Sequence, residues 1–211
     1  PRAFDEAIAY GKEIGAKLVL ATDPDADRLG MGVFHNGEYV LLNGNQSATI
    51  MVDYICSQLK AKGELPENGW VYSTNVSGSL PLKIAEGYGL KTYTSLTGFK
   101  FIGEQIKLFE QTGSNNYVFG LEESYGCLAG THARDKDAVV AVMCLCEVAA
   151  WCKKQGITLW DQMINLYEKY GYFKEDQYAI TLKGIEGSKQ IEEMMNKLRQ
   201  NPPKQFGDLK V

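Results

Sequence analysis

Short apolar runs that alternate with helix-like segments constrain this chain more than any other feature. Trp70 to Ser73, Leu90 to Thr94 and Tyr117 to Gly120 each read as a strand, and each leads into a polar or Gly-bearing loop. Helical spacing marks about Gln46 to Leu59, with Ile50, Tyr54, Ile55 and Leu59 on one stripe, then about Leu80 to Glu86 and about Ile102 to Gln111. Strands alternating with helices at this spacing imply an α/β fold, a doubly wound mixed sheet with helices on both faces, from roughly Asn43 to Lys154. In such a sheet ligand loops lie at the carboxyl ends of the strands.

Upstream, Phe4, Ile8 and Ile14 mark a helix from about Ala3 to Gly15, and Leu18 to Ala21 make a strand. Leu29 to Phe34 and Glu38 to Leu42 flank His35-Asn36-Gly37, whose Asn-Gly pair signals a hairpin and puts His35 in an exposed, structural turn. Downstream, Asp137 to Lys154 is apolar almost all round, as a buried helix would be. A helix from Leu159 to Tyr170, an extended stretch from Tyr172 to Leu182 and a surface helix from Ser188 to Gln200 follow, the last ended by Asn201-Pro202-Pro203. The tail reads as a connection towards something absent. A start at Pro1-Arg2, without Met and already helix-like by Phe4, reads as an excised piece of a longer protein.

The stretch Thr22-Asp23-Pro24-Asp25-Ala26-Asp27-Arg28 follows a strand and carries three acids in one tight loop. Pro24 and Ala26 do not compete for cations, so Asp23, Asp25 and Asp27 can converge on one hard divalent ion. Oxygen-only ligands favour Mg²⁺ or Ca²⁺ over zinc, and clustered carboxylates repel unless a cation neutralises them. Arg28 adds a fixed positive fork, and a metal beside a guanidinium suits a phosphoryl group. An EF-hand loop would need Gly after the third acid and a distal Glu; Arg28 and Phe34 stand there. A solvated acidic turn accounts for one or two Asp better than for three with an Arg.

A net charge of -4 and a pI near 5.3 lack the basic excess of a nucleic-acid binder. No apolar run is long enough to span a bilayer, and no secretory leader is apparent. Five Cys, an odd number, indicate a reducing compartment, and Cys144-Leu145-Cys146 lacks the spacer of zinc or redox pairs, so buried small hydrophobes is their role.

The second informative loop is Gly120-Leu121-Glu122-Glu123-Ser124-Tyr125-Gly126, directly after a strand. Carboxylates and hydroxyls there suit vicinal sugar hydroxyls. Thr131-His132-Ala133-Arg134-Asp135-Lys136-Asp137 then adds positive charge, with Arg134 and Lys136 able to hold a phosphate or Lys136 to serve as an acid/base. For Glu123, Asp135 and Asp137 the plainer reading is helix-start or turn chemistry and solvation. His132, a lone His between small residues, reads as structural.

Together these residues resemble the α-D-phosphohexomutases, a family that includes phosphoglucomutase and phosphomannomutase. Asp23-Pro24-Asp25-Ala26-Asp27-Arg28 looks like the family's metal loop and Gly120 to Gly126 like its sugar-binding loop. Thr97-Gly98-Phe99-Lys100 and Arg134-Asp135-Lys136-Asp137 are similar to two further family loops. The resemblance implies that Asp23, Asp25 and Asp27 ligate Mg²⁺, that Arg28 contacts a phosphoserine phosphate, and that Glu122 and Ser124 hold sugar hydroxyls. It implies further that Thr97 and Gly98 line the cleft, that Arg134 assists substrate binding and that Lys136 is an acid/base candidate. By the same resemblance residues 1–42 are the end of the family's domain 2, residues 43–155 its domain 3 and residues 156–211 a linker towards domain 4. The implied activity is cytoplasmic, Mg²⁺-dependent interconversion of hexose 1-phosphate and hexose 6-phosphate through a bisphosphorylated sugar, with no nucleic acid or membrane partner.

The family's Ser-His phosphoserine loop and Arg-Pro-Ser-Gly-Thr phosphate loop do not occur here; Ser77-Gly78-Ser79 is the nearest hydroxyl cluster and lacks the following His. The chain alone is therefore expected to be inactive, its partners being the remaining domains of its parent. Phosphopentomutase or glucose-1,6-bisphosphate synthase of the same family is the alternative, and a non-catalytic sugar-phosphate or Ca²⁺-binding module is the alternative of another class. A haloacid-dehalogenase-type phosphatase would need Thr where Leu29 stands.

Overall fold

The computed structural model describes residues 4–175 and 180–210, which form two compact units, one ending at Phe173 and the other beginning at Lys174. In the first, helix α1 (Asp5–Ile14) stops where Gly15 turns left-handed at φ 70°, a conformation that costs Gly nothing; its expected start at Ala3 lies outside the described residues. Strands β1 (Leu18–Thr22), β2 (Leu29–His35) and β3 (Glu38–Leu42) make an antiparallel three-stranded sheet. Asn36 and Gly37, both with positive φ, close the β2–β3 hairpin, as an Asn-Gly pair should. His35, expected in an exposed turn, is instead half-buried: its side chain is 19% exposed and its Nδ1 lies 3.2 Å from Thr158 Oγ1. The hairpin signal gives the turn but not the distant helix end that covers it.

Helix α2 (Gly44–Lys62) opens with a capping box, Asn43 accepting from the Gln46 N–H while Gln46 accepts from the Asn43 N–H. Strand β4 (Gly69–Thr74), helix α3 (Leu80–Gly87), strand β5 (Lys91–Ser95), helix α4 (Phe99–Thr112), strand β6 (Asn116–Glu122) and strand β7 (Gly126–Ala129) follow. The sheet order is β5-β4-β6-β7, with β5 and β6 parallel to β4 and β7 antiparallel to β6. Four residues are too few to show a period, which is why β7 escapes a reading of the sequence. Strand order reverses at β4, and in open α/β sheets a crevice forms at the carboxyl ends beside such a reversal.

Alternation along β4 divides the core. Val71 joins Val52, Ile84, Leu145 and Met163 on one face, under α2, α3 and the two helices that follow β7. Tyr72 joins Phe99, Ile102, Ile106 and Phe109 beneath α4 on the other. Ile102 and Ile106 are fully buried, each contributing on the order of 2 kcal/mol.

Helix α5 (Ala138–Lys154) starts at Asp137, whose Oδ1 accepts from the Val139 and Val140 N–H groups. It is not buried all round. Ala141, Cys144, Leu145 and Val148 face the core, whereas Val139 and Met143 are 68% and 58% exposed, because the helix covers the sheet with one side only. Cys146 is exposed as well, unlike the other four cysteines. Burial pushes the Cys56 and Cys144 thiols up to about 12. Helix α6 (Leu159–Tyr170) begins with a second capping box, Thr158 with Asp161, and packs on α2 and α5.

The second unit holds helix α7 (Gly184–Gln200) and the two-residue antiparallel strands β8 (Gln205–Phe206) and β9 (Leu209–Lys210). Helix α7 begins four residues before the expected Ser188. Part of the extended stretch expected from Tyr172 to Leu182, residues 176–179, lies outside the described residues.

Candidate active site

The acidic loop between β1 and β2 folds on itself. Asp23 Oδ1 accepts from the Asp27 and Arg28 N–H groups at 3.2 and 3.1 Å, and the Ala26 N–H donates to the Asp23 carbonyl at 3.1 Å. Ala26 pays for this turn with a left-handed φ of 54°. Each of Asp23, Asp25 and Asp27 offers a carboxylate oxygen within 4.8 Å of the other two. Desolvation raises the Asp23 pKa, but the backbone donors of Arg28 and Asp27 together with side-chain hydrogen bonding to Asp27 and Asp25 hold the carboxyl below its ordinary value. The Arg28 Nε sits 3.9 Å from Asp23 Oδ2 and 3.6 Å from Asp27 Oδ1.

Asp27 Oδ1 is buried and has no hydrogen-bond partner among the described residues. A buried acceptor in an all-oxygen acidic cluster fits a hard divalent cation, which would supply what the protein does not.

A second loop, the turn between β6 and β7, meets the first. The Leu29 N–H donates to the Tyr125 carbonyl at 3.0 Å, and Arg28 bridges Gly126 in antiparallel fashion. Glu122 ends β6 and is 8% exposed; its Oε1 accepts from the Gly98 N–H at 3.0 Å. The Lys136 ammonium lies 2.8 Å from Asp27 Oδ2, 3.4 Å from Asp135 Oδ1 and 3.7 Å from Glu122 Oε2. Desolvation would lower the Lys136 pKa, but Asp27 first and then Asp135 and Glu122 raise it above the usual lysine value. Its stem crosses Gly126, where an added Cβ would come within 2.2 Å of Lys136 Cδ. A side chain at 126 would displace that lysine.

The structure thus brings Asp23, Asp25, Asp27, Arg28, Gly98, Glu122 and Lys136 together. Thr97 is exposed beside Gly98, and Ser124 is half-buried in the β6–β7 turn. Arg134 is engaged elsewhere, with Glu110 and with the Thr131 and Ala133 carbonyls, although it lines a cavity of about 570 Å³ with Lys100, Lys136 and Ala26. His132 pairs with Asp137 at 2.9 Å, and this contact is the main cause that lowers the Asp137 pKa.

Glu123 is not a solvated turn residue: its Oε2 accepts from Ser77 Oγ at 2.9 Å. In the sequence Ser77 is one hydroxyl of a Ser77-Gly78-Ser79 cluster that lacks a following His, and its pairing with Glu123 is not visible there. The available signal was its place in the polar loop after β4, at a carboxyl strand end.

A strand-order reversal beneath three converging loops defines an α/β domain with a candidate ligand cleft at its carboxyl edge. Residues 43–170 match the family model for phosphoglucomutase/phosphomannomutase, alpha/beta/alpha domain III, and the chain belongs to that family. A phosphoglucomutase of Staphylococcus aureus (strain N315) is 36% identical over 211 residues, 100% of this chain and 37% of the relative. The chain therefore spans little more than a third of that relative's length. Two crystal structures share the fold: a Thermus thermophilus protein assigned to the phosphomannomutases (TM-score 0.62, 24% identity, 81% of this chain and 35% of that one) and the Paramecium phosphoglucomutase pp63/parafusin in its open form (TM-score 0.59, 22% identity, 81% and 28%).

Proposed function

We propose that this chain is the central part of a phosphohexomutase that interconverts hexose 1-phosphate and hexose 6-phosphate. The observation that carries the reading is the Lys136 ammonium, which salt-bridges Asp27 of one loop and faces Glu122 of the other, making one site of two sequence-distant motifs. Residues 1–42 close a preceding domain, residues 43–155 fall within the matched domain III, and residues 156–211 lead towards a further domain.

Asp23, Asp25 and Asp27 would hold Mg²⁺, which when bound offsets the negative charge of a phosphoryl group in transfer. Arg28 orients a phosphate through its fork. Glu122 and Ser124 hold hexose hydroxyls, and Thr97 with Gly98 bounds the sugar. Lys136 Nζ keeps its proton in the resting site, held by three carboxylates, and is the group placed to give it to a sugar oxygen. The phosphoserine belongs to another part of the polypeptide, so the 211 residues alone are inactive. Five free thiols suit a cytoplasmic enzyme.

A coupled mutase assay on the full-length polypeptide tests this, comparing glucose, mannose and ribose 1-phosphates with Mg²⁺ and with chelator, alongside the 211-residue chain. Mg²⁺-dependent hexose activity in the parent and none in the chain is expected. A preference for ribose 1-phosphate would shift the reading to a phosphopentomutase, and inactivity of the parent to a binding module.

A further inference from the structure

We propose that Ser77 is a positioning residue for the turn bearing Glu122 and Ser124, acting through Glu123; the proposal rests on the hexose-phosphate reading of that turn. Ser77 Oγ donates to Glu123 Oε2 at 2.9 Å and accepts from the Glu123 N–H at 3.0 Å. It also lies 2.7 Å from Thr74 Oγ1. A hydroxyl has one proton and two lone pairs. With its proton on the carboxylate, Ser77 accepts from the Glu123 amide, while the single Thr74 proton goes either to Ser77 Oγ at 2.7 Å or to Glu123 Oε2 at the longer 3.4 Å, so Ser77 is the shorter of two hydroxyl contacts to that carboxylate. One oxygen atom therefore fixes both the main chain and the side chain of a residue 46 positions away.

The pin is itself anchored. Thr74 ends β4 and is 2% exposed, the Ser77 N–H donates to the Thr74 carbonyl at 3.1 Å, and the next N–H, of Gly78, donates to Asn45 Oδ1 at 2.9 Å. From a third side the first turn of α2 supports the loop: a Cβ on Gly44 would lie 2.1 Å from the Glu123 carbonyl oxygen and 2.7 Å from the Tyr125 nitrogen.

Closing the hairpin needs none of this, since the β6–β7 ladder already pairs Glu122 with Gly126. What the pin adds is orientation. Glu122 and Ser124 flank the pinned residue, so rotating the Glu123 peptide moves both, and small misplacements of binding groups are costly. The hydrogen bonds of Ser77 go to Thr74 and Glu123, not to the acidic loop or to Glu122, which separates its effect from the metal's.

The test is steady-state kinetics of the full-length polypeptide with its preferred hexose 1-phosphate, over a range of Mg²⁺ concentrations. Ser77→Ala should raise KM about tenfold, leave kcat within about twofold, and leave the Mg²⁺ concentration for half-activation unchanged. Ser77→Thr, which keeps the hydroxyl, should rescue KM. A fall in kcat at unchanged KM, the mark of lost folded enzyme, would overturn the proposal, as would an unchanged KM. If Ser77→Ala does not fold, the pair Glu123→Gln and Glu123→Ala decides: Gln still accepts from Ser77, so only Ala should raise KM, and equal KM values would overturn the proposal. An unmodified enzyme inactive on every hexose phosphate would bring down the underlying reading, and the proposal with it, before any variant is compared.

Discussion

The two loops of the candidate site are built on opposite plans. The acidic loop is organised first by its own backbone, Asp23 receiving N–H groups four and five residues away, with the Ala138 N–H on the Ala26 carbonyl and Lys136 on Asp27 as remote additions. The β6–β7 turn is organised from a distance, by Ser77, Gly98, Gly44 and the Lys136 stem. Both contain a left-handed residue other than Gly, Ala26 at φ 54° and Tyr125 at φ 71°. Local construction makes a loop robust to changes elsewhere, whereas construction by distant partners makes its geometry depend on the whole domain.

The largest expected effect lies in the acidic loop. Asp25→Asn removes one of the three clustered carboxylates without touching the backbone hydrogen bonds to Asp23, so on the proposed reading turnover of the full-length polypeptide should fall by about a hundredfold or more with the fold intact. Activity at added Mg²⁺, set beside a circular dichroism spectrum, checks both halves. Near-normal turnover would sink the metal assignment.

Gly44→Ala breaks the comparison from the other side. Its Cβ would meet backbone, not a flexible side chain, so the β6–β7 turn must shift, and a destabilisation of about 1–3 kcal/mol is expected in denaturant melts. Metal affinity should fall less than sugar affinity, because the acidic loop touches the shifted turn only at its far end, through the Leu29 N–H to Tyr125 carbonyl bond and the Arg28–Gly126 bridge, while Asp23 is held by the Asp27 and Arg28 N–H groups. Equal losses of metal and sugar affinity would show that the two loops are not separately built.

The same contrast governs what could be read in advance. Periodicity locates most of the helices and strands, and the acid spacing locates Asp23, Asp25 and Asp27, since these depend on residues a few positions apart. Glu123 reads as turn chemistry because its partner Ser77 is remote in sequence, and His35 reads as exposed because Thr158 covers it from 123 positions away. Apolar composition in α5 could not tell a helix covered on one side from one covered on all sides. Strand β7 was too short for any period, although it sets the register that brings Glu122 opposite Gly126.

A local device outside the site supplies a control. In the Thr158 box, the Thr158 N–H is the main cause that lowers the Asp161 pKa, and it prevails over desolvation together with the Thr158 hydroxyl and His35. Because the folded pKa lies below the unfolded one, this carboxylate's stabilisation is present above the unfolded value and is lost as pH falls through the folded one. Asp161→Asn should therefore flatten the loss of stability below about pH 4 relative to the unmodified chain. Thr158→Ala should cost about 1 kcal/mol at neutral pH, measured by urea unfolding.

The smallest effect sharpens the comparison most. Ala26 holds a left-handed backbone with a methyl group, a conformation that disfavours any side chain by roughly 1 kcal/mol. Ala26→Gly relieves that strain but widens the unfolded ensemble, and the two terms offset to within about 1 kcal/mol. If the acidic loop is held by its own hydrogen bonds, the variant should keep wild-type stability within that range and wild-type Mg²⁺ activation. A loss of Mg²⁺ activation at unchanged stability would mean that the Ala26 methyl, which lines the cavity shared with Lys100 and Lys136, helps to hold the carboxylates in place.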